Sequence, residues 1–228
     1  MKLKLIEKIQ RTEDVVSFVF EPHEILTWQA GQFLHYVMHH EPTDDRGSDR
    51  WFTISSAPFE KVVWITTRLT KEKGSSFKNK LQTLAIGKNI EISYLEGDFV
   101  INDPEKNYIF IAGGIGITPF RSIIKELEFE KKPINITLLY ANRDKNIVFK
   151  DEFEKIAETS PSFKIHYIIN PEHVDEAKIN ELVPDFKNKI FYISGPEAMV
   201  ESLGEMLGKM GINKENIRQD WFPGYNNY

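Results

Sequence analysis

Through the first hundred residues apolar side chains fall at every second place, in short runs rich in β-branched and aromatic residues. Lys2–Ile9, Val15–Phe20, Phe33–Met38, Trp51–Ser55, Val62–Leu69 and Asn89–Leu95 read as strands, separated by charged or Gly/Pro-bearing turns. Strands at this spacing predict a small antiparallel barrel or sandwich. The polar run His39–Asp49, with Pro42 and Gly47, reads as a long loop. Lys78–Leu84 reads as one or two turns of amphipathic helix.

The periodicity changes after Asp103-Pro104. Tyr108–Ala112 is a continuous apolar run of buried-strand type, followed by a glycine turn and the helical stretch Phe120–Glu130. Strands Ile134–Tyr140, Phe163–Ile169 and Ile190–Ser194 then alternate with helices Phe149–Glu158, Glu176–Val183 and Glu197–Met210. Such alternation predicts a parallel sheet with right-handed crossovers. The expected architecture is an N-terminal antiparallel β-barrel over residues 1–102 and a C-terminal α/β parallel-sheet domain over residues 103–228.

Four stretches carry candidate chemistry. In Arg50-Trp51-Phe52-Thr53 a guanidinium, flat rings and a hydroxyl follow one another along a strand, with Arg50 and Phe52 on one face and Trp51 and Thr53 on the other. The planar fork of arginine suits a diphosphate. Gly74-Ser75-Ser76 opens the short helix, where unpaired amides and the positive dipole end make either an ordinary helix start or an anion site. Gly113-Gly114-Ile115-Gly116-Ile117-Thr118-Pro119 lets the backbone turn sharply after a strand, with Thr118 expected as N-cap and Pro119 at the first helical position. It departs from the ordinary dinucleotide fingerprint, because Pro119 replaces the third glycine and Tyr140-Ala141-Asn142-Arg143 brings no acid at the end of the next strand. Ser194-Gly195-Pro196 repeats strand, small residue, glycine and proline later in the chain. Both turns are expected at the carboxyl edge of the sheet, where open parallel sheets bind ligands.

Other features read as structure. His39 and His40 point opposite ways on an extended segment and lack a third ligand, so no metal is expected. Met199, Leu203, Met206, Leu207 and Met210 have helical spacing and read as core, with Gly204 and Gly208 allowing close packing on the sheet. The C-terminal run Gln219–Tyr228 is aromatic enough to be packed or stacked on a flat ligand.

Composition narrows the classes. The 228 residues are 41% hydrophobic, enough for a packed core, and the net charge of −5 leaves no basic footprint for nucleic acid. No apolar run approaches the roughly 18 residues of a membrane span, and Met1–Leu5 enters strand-like alternation without a signal-peptide core, which favours the cytoplasm. There is no cysteine, which removes disulfides, thiolate zinc sites, cysteine nucleophiles and cysteine-ligated iron–sulfur clusters from the 228 residues.

In the order of these motifs the chain resembles the ferredoxin–NADP⁺ reductase superfamily, whose members pair a flavin-binding barrel with a nicotinamide-nucleotide domain. The resemblance implies that Arg50 holds the flavin diphosphate with the amides of Ser75 and Ser76 helping, Gly74 belonging to the same cofactor-binding set. Phe52 would pack along the flavin with Trp51 beside it, Thr53 would lie near flavin N5, and Thr66 and Thr67 would join the cofactor-binding set. Ala30–Phe33 and Gly97-x-Phe99 look like structural turns of the barrel. Gly113, Gly114, Gly116, Thr118, Pro119, Gly195 and Pro196 would accept the nicotinamide nucleotide. Ser194 stands where the family commonly has cysteine, Asp220 where plant-type relatives have glutamate, and Phe222 where they have the ring-stacking tyrosine, with Trp221 the alternative cover for the flavin.

The implied reaction is hydride transfer from the dihydronicotinamide C4 to flavin N5, then electron release to an acceptor outside the chain: a ferredoxin, flavodoxin, free flavin, quinone or oxygenase component. FAD is favoured over FMN because two phosphate contacts are implied. NADH is favoured over NADPH because Glu172 in Ile169-Asn170-Pro171-Glu172 would repel a 2′-phosphate, although Arg143 keeps NADPH open. An electron-transfer subunit active only with its partner is the alternative. A nucleotide-binding regulator without flavin would leave Arg50–Thr53 without a role.

Overall fold

The computed structural model describes residues 1–70 and 74–222, apart from the Phe222 side chain. Two compact units emerge: Met1–Val100 with Arg121–Glu126, and Ile101–Phe120 with Leu127–Tyr228.

The first unit is a six-stranded antiparallel sheet built from β1 (Lys2–Gln10), β2 (Val15–Pro22), β3 (Phe33–Val37), β4 (Asp49–Thr53), β5 (Val63–Arg68) and β6 (Asn89–Glu96), in the order β4-β3-β6-β1-β2-β5. The sheet curls, as an alternating pattern with a single buried face requires. Ser55 N donates to Trp64 O at 3.1 Å, linking the chain just beyond β4 to β5 at the other end of the strand order. Leu3, Leu5, Phe18, Phe20, Leu34, Tyr36, Val63 and Ile65 line the inner face, capped by Phe77 and Leu81 of helix α1 (Ser76–Thr83). A Cβ on Gly31 would collide with the Phe99 carbonyl, and Gln32 Nε2 donates to Gly97 O at 3.2 Å. The two barrel turns singled out in the sequence therefore pack on each other.

The first unit also holds an ion pair that strand patterning does not announce. Arg121, 2% exposed, makes two bonds to Glu60 (Nη1–Oε2 2.7 Å, Nη2–Oε1 3.0 Å) and one to Ser55 O, with its guanidinium over the Trp64 ring.

In the second unit all five strands are parallel: β7 (Tyr108–Gly113), β8 (Ile136–Asn142), β9 (Lys164–Ile169), β10 (Ile190–Pro196) and β11 (Ile217–Phe222). The order is β11-β10-β7-β8-β9. Helices α2 (Thr118–Phe129), α3 (Lys150–Thr159), α4 (Glu176–Leu182) and α5 (Glu197–Lys209) connect them. Strand β7 is buried at every position, as expected of a central strand covered on both faces. Phe110 stacks on Phe120 at 4.5 Å.

Two local expectations change. Thr118 is not an N-cap: a 3₁₀ turn, Gly114–Ile117, runs straight into α2, and Thr118 is already helical with its hydroxyl donating to Ile115 O at 3.2 Å. Gly208 does not serve close packing, because nothing lies within 4 Å of where its Cβ would be. Gly204 does, since a Cβ there would meet the Gln219 amide. Leu203 and Leu207 are buried in the core with Met199, Met206 and Met210 packed against it.

Two substitutions should act in opposite directions on urea unfolding. Gly208→Ala, inside α5 and facing open space, should stabilise by about 0.5–1 kcal/mol. Phe110→Ala, fully buried, should cost about 3–5 kcal/mol.

Candidate functional site

The first cluster of chemistry lies where β4 meets the start of α1. Side chains of directly paired residues share a face, so Tyr36 and Arg50, opposite each other on β3 and β4, point the same way. The Arg50 side chain is only 12% exposed, and a buried guanidinium must find acceptors. Its Nη1 donates to the carbonyls of Arg46, Gly47 and Asp49, and its Nη2 to Asp44 Oδ1 at 2.5 Å. Its Nε is buried without a hydrogen-bond partner, as is the Tyr36 hydroxyl. Phe52 packs edge-on against Tyr36 and tilted against Phe77.

The start of α1 carries an anion, and that anion is the protein's own. Ser75 caps the helix, accepting from Lys78 N at 3.3 Å. Ser76 N donates to Asp44 Oδ2 at 2.8 Å, and Asp44 N donates to Ser76 Oγ at 3.0 Å. Burial alone would raise the Asp44 pKa, but the Ser76 amide, the Arg50 guanidinium and the Arg46 amide outweigh it and bring it down to about 2. Sequence reasoning missed Asp44. It lies in an irregular loop, and only the fold carries it to Arg50 and Ser76.

The other residues of the first unit divide. Thr53 is buried, at 5% exposure. Thr66 is used inside the sheet, its hydroxyl 2.8 Å from Ser17 Oγ and 2.6 Å from Ser55 Oγ. Thr67, on the opposite face, is buried with its hydroxyl unpartnered. Trp51 is turned away from Arg50 and stands 43% exposed in a cluster with Phe33, His35 and Tyr94. Gly74 packs beside Asn79 and Thr70, where a Cβ would crowd both.

The second cluster lies at the carboxyl edge of the parallel sheet. Strand order reverses at the β7–β10 pair, which is where open α/β sheets leave a crevice. Both glycine turns meet there. A Cβ on Gly116 would collide with the Ser194 carbonyl, and one on Gly113 with Met199 and Pro196. Gly195 lies against Gly113. Gly114 has φ +52° with nothing within 4 Å of its would-be Cβ, so this backbone faces open space. Thr118 and Pro119 open α2 directly behind it, with Thr118 3% exposed. Ser194 is fully buried and donates to Asp220 Oδ2 at 3.3 Å from the neighbouring strand. Pro196 pairs with Phe222, the last residue of β11, whose side chain lies outside the described residues, as do residues 223–228 of the aromatic tail. Glu172 is ion-paired, 3.0 Å from Lys178 Nζ, so its charge is partly offset. Among the described residues no cluster suits a metal ion, and no helix is long and apolar enough to cross a membrane.

Residues 110–204 match the oxidoreductase NAD-binding domain family. A flavohemoprotein of Burkholderia sp. (strain TH2) is 22% identical over 94% of this chain and 57% of its own length. The ferredoxin reductase component of 3-ketosteroid-9-alpha-monooxygenase from Mycolicibacterium smegmatis is 27% identical over 97% of this chain and 65% of its own. The crystal structure of the flavohem-like FAD/NAD-binding domain of nitric oxide dioxygenase from Vibrio cholerae superposes with a TM-score of 0.83 at 22% identity, covering 97% of this chain and 98% of that one. The NAD-binding family match therefore lies almost wholly within the second unit, and the chain as a whole has the fold of the Vibrio cholerae FAD/NAD-binding domain. That fold combines a curled six-stranded antiparallel sheet with a five-stranded parallel one, and the chain spans less than two thirds of the two curated relatives.

Two measurements check this geometry. Gly116→Ala should destabilise the second unit by about 2 kcal/mol or more, because backbone cannot yield as a flexible side chain does; limited proteolysis and urea unfolding read it. The Asp44 pKa is depressed from 3.8, so its contribution to stability is present above about pH 4 and is lost as pH falls toward about 2. The stability difference between the native chain and Asp44→Asn should be clear near pH 6 and absent near pH 2.

Proposed function

We propose that the chain is a flavin-dependent oxidoreductase that accepts hydride from NAD(P)H and delivers electrons to an acceptor outside the described chain. The observation that carries this is the donor set around Arg50: a guanidinium fork with an unpartnered buried Nε, beside the amide start of α1, on an antiparallel sheet. That set fits a phosphate-bearing flavin, and FAD is favoured because both the fork and the helix start can take phosphate oxygens. Arg50, Gly74, Ser75 and Ser76 would hold the phosphates, and Phe52, Thr53 and Thr67 would lie along the rest of the cofactor. Trp51 and Thr66 take no part in this reading, one facing away from Arg50 and the other hydrogen-bonded within the sheet. FAD, when bound, supplies the redox chemistry: it takes a hydride from a dihydronicotinamide and releases electrons to the acceptor.

The residues of this chain bind, orient and exclude water. Residues 1–102 form the flavin part of the proposal and residues 103–228 the nicotinamide part. Gly113, Gly114, Gly116, Thr118, Pro119, Gly195 and Pro196 let the nucleotide backbone approach the sheet edge closely. Ser194, fully buried and donating its hydroxyl to Asp220, would lie beneath the proposed nicotinamide place and orient that carboxylate. Phe222 is proposed as the aromatic that covers the flavin until nicotinamide replaces it. Phe222→Ala should then change both turnover and nicotinamide affinity, and finding neither changed would remove the gate.

NADH is favoured, although the Lys178 partner of Glu172 weakens the repulsion expected of a bare carboxylate. We place the protein in the cytoplasm, where reduced nicotinamide nucleotides are supplied. A second reading is a reductase subunit that works only with its partner. It is supported by the relative named as the ferredoxin reductase component of a monooxygenase.

The visible spectrum of the purified protein after incubation with FAD, followed by anaerobic NADH, tests the proposal. The expected result is a bound flavin spectrum that bleaches with NADH at lower concentration than with NADPH. Bleaching by NADPH alone would reverse the preference, and a folded protein that takes up no FAD would defeat the flavin reading. Turnover with ferricyanide but with no protein acceptor tried singly would favour the subunit reading.

A further inference from the structure

We propose that Asp44 is an internal occupant of the flavin-phosphate seat, so that FAD loads only when this carboxylate leaves Arg50 and the first turn of α1. The inference rests on the flavin reading above and deepens it by naming what controls the seat.

A carboxylate and a phosphate ask for the same donors. Asp44 divides its two oxygens between them: Oδ1 accepts from Arg50 Nη2 at 2.5 Å and from Arg46 N at 3.0 Å, and Oδ2 accepts from Ser76 N at 2.8 Å. Those donors come from β4, the loop and α1, and they converge on a single side chain. The bond from Asp44 N to Ser76 Oγ ties the loop to the helix in the reverse direction. Arg50 does not depend on Asp44 for its placement, because Nη1 is held by three backbone carbonyls.

The fit of Asp44 is incomplete in one respect. The Nε–Nη2 edge of a guanidinium is a bidentate face for an oxyanion. Asp44 takes Nη2 and leaves Nε buried without a partner. A phosphate can take both atoms and the Ser76 amide as well. It cannot do so beside Asp44, since two anions sharing these donors repel strongly at about 4 Å in a partly buried site. Carboxylate and phosphate therefore exclude each other. The bridge Asp44–Gly47 is the only regular pairing that Asp44 makes, so little secondary structure is lost when Asp44 moves.

Binding that waits on a minor open state is weakened by the fraction of molecules open. The test compares the native chain with Asp44→Ala and Asp44→Asn for three probes: FAD and riboflavin by fluorescence titration, and inorganic pyrophosphate by calorimetry. Asp44→Asn removes the charge while keeping the size, and carries the comparison if Asp44→Ala does not fold. The expected result is that FAD and pyrophosphate bind about tenfold more tightly or better to the variants, while riboflavin, which has no phosphate, is unchanged. Weaker or equal binding of both phosphate probes would overturn the proposal and make Asp44 a brace for Arg50. Equal tightening of riboflavin would overturn it too, since the effect would not lie at the phosphate. If no form binds FAD but the variants gain pyrophosphate affinity, the seat is self-occupied and it is the flavin reading that falls.

Discussion

A guanidinium withdrawn from water has to be surrounded by acceptors, and the first unit is arranged around that requirement at Arg50. The loop of residues 39–49 gathers three carbonyls and one carboxylate about it, and the start of α1 shares the carboxylate. One donor remains unmatched. An orphaned buried donor costs about 1–3 kcal/mol. The unmatched Nε lies on the strand face that also carries Tyr36, whose buried hydroxyl is likewise without a hydrogen-bond partner.

The second unit reaches a binding edge by a different route. It relies on the absence of side chains rather than on charge. At the β7–β10 pair the backbones of the two glycine turns come so close that Gly116 could not carry a Cβ, while one on Gly113 would press on the Met199 and Pro196 side chains. The same economy leaves Gly114 facing open space at the start of α2, where helix amides gather. Ser194 and Asp220 are then brought side by side by strand register alone, 26 residues apart in the chain.

Under the proposed function the two units would divide the labour in chemical terms: one offering charge-matched donors for a diphosphate, the other a backbone edge for a nucleotide. The Burkholderia and Mycolicibacterium relatives are longer proteins, and this chain corresponds to 57% and 65% of them.

The sequence by itself determined the two-part plan. Period-two alternation can be buried on one face only by a curled antiparallel sheet, and apolar runs such as Tyr108–Ala112 followed by helices can be buried only at the centre of a parallel one. The glycine turns were legible as well, because close approach of backbones leaves no other residue type. The tertiary structure alone decided which side chains serve the site. Thr66 and Thr67 are neighbours of one chemistry, yet pleating sends one into a hydroxyl network and leaves the other unpartnered. Trp51 faces out beside Tyr94 although it follows Arg50 directly. Asp44 was invisible because no periodicity governs a loop, and its role depends on Arg50, six residues away, and on Ser76, thirty-two away. Local pattern reports which face a residue occupies; only folding settles what stands across from it.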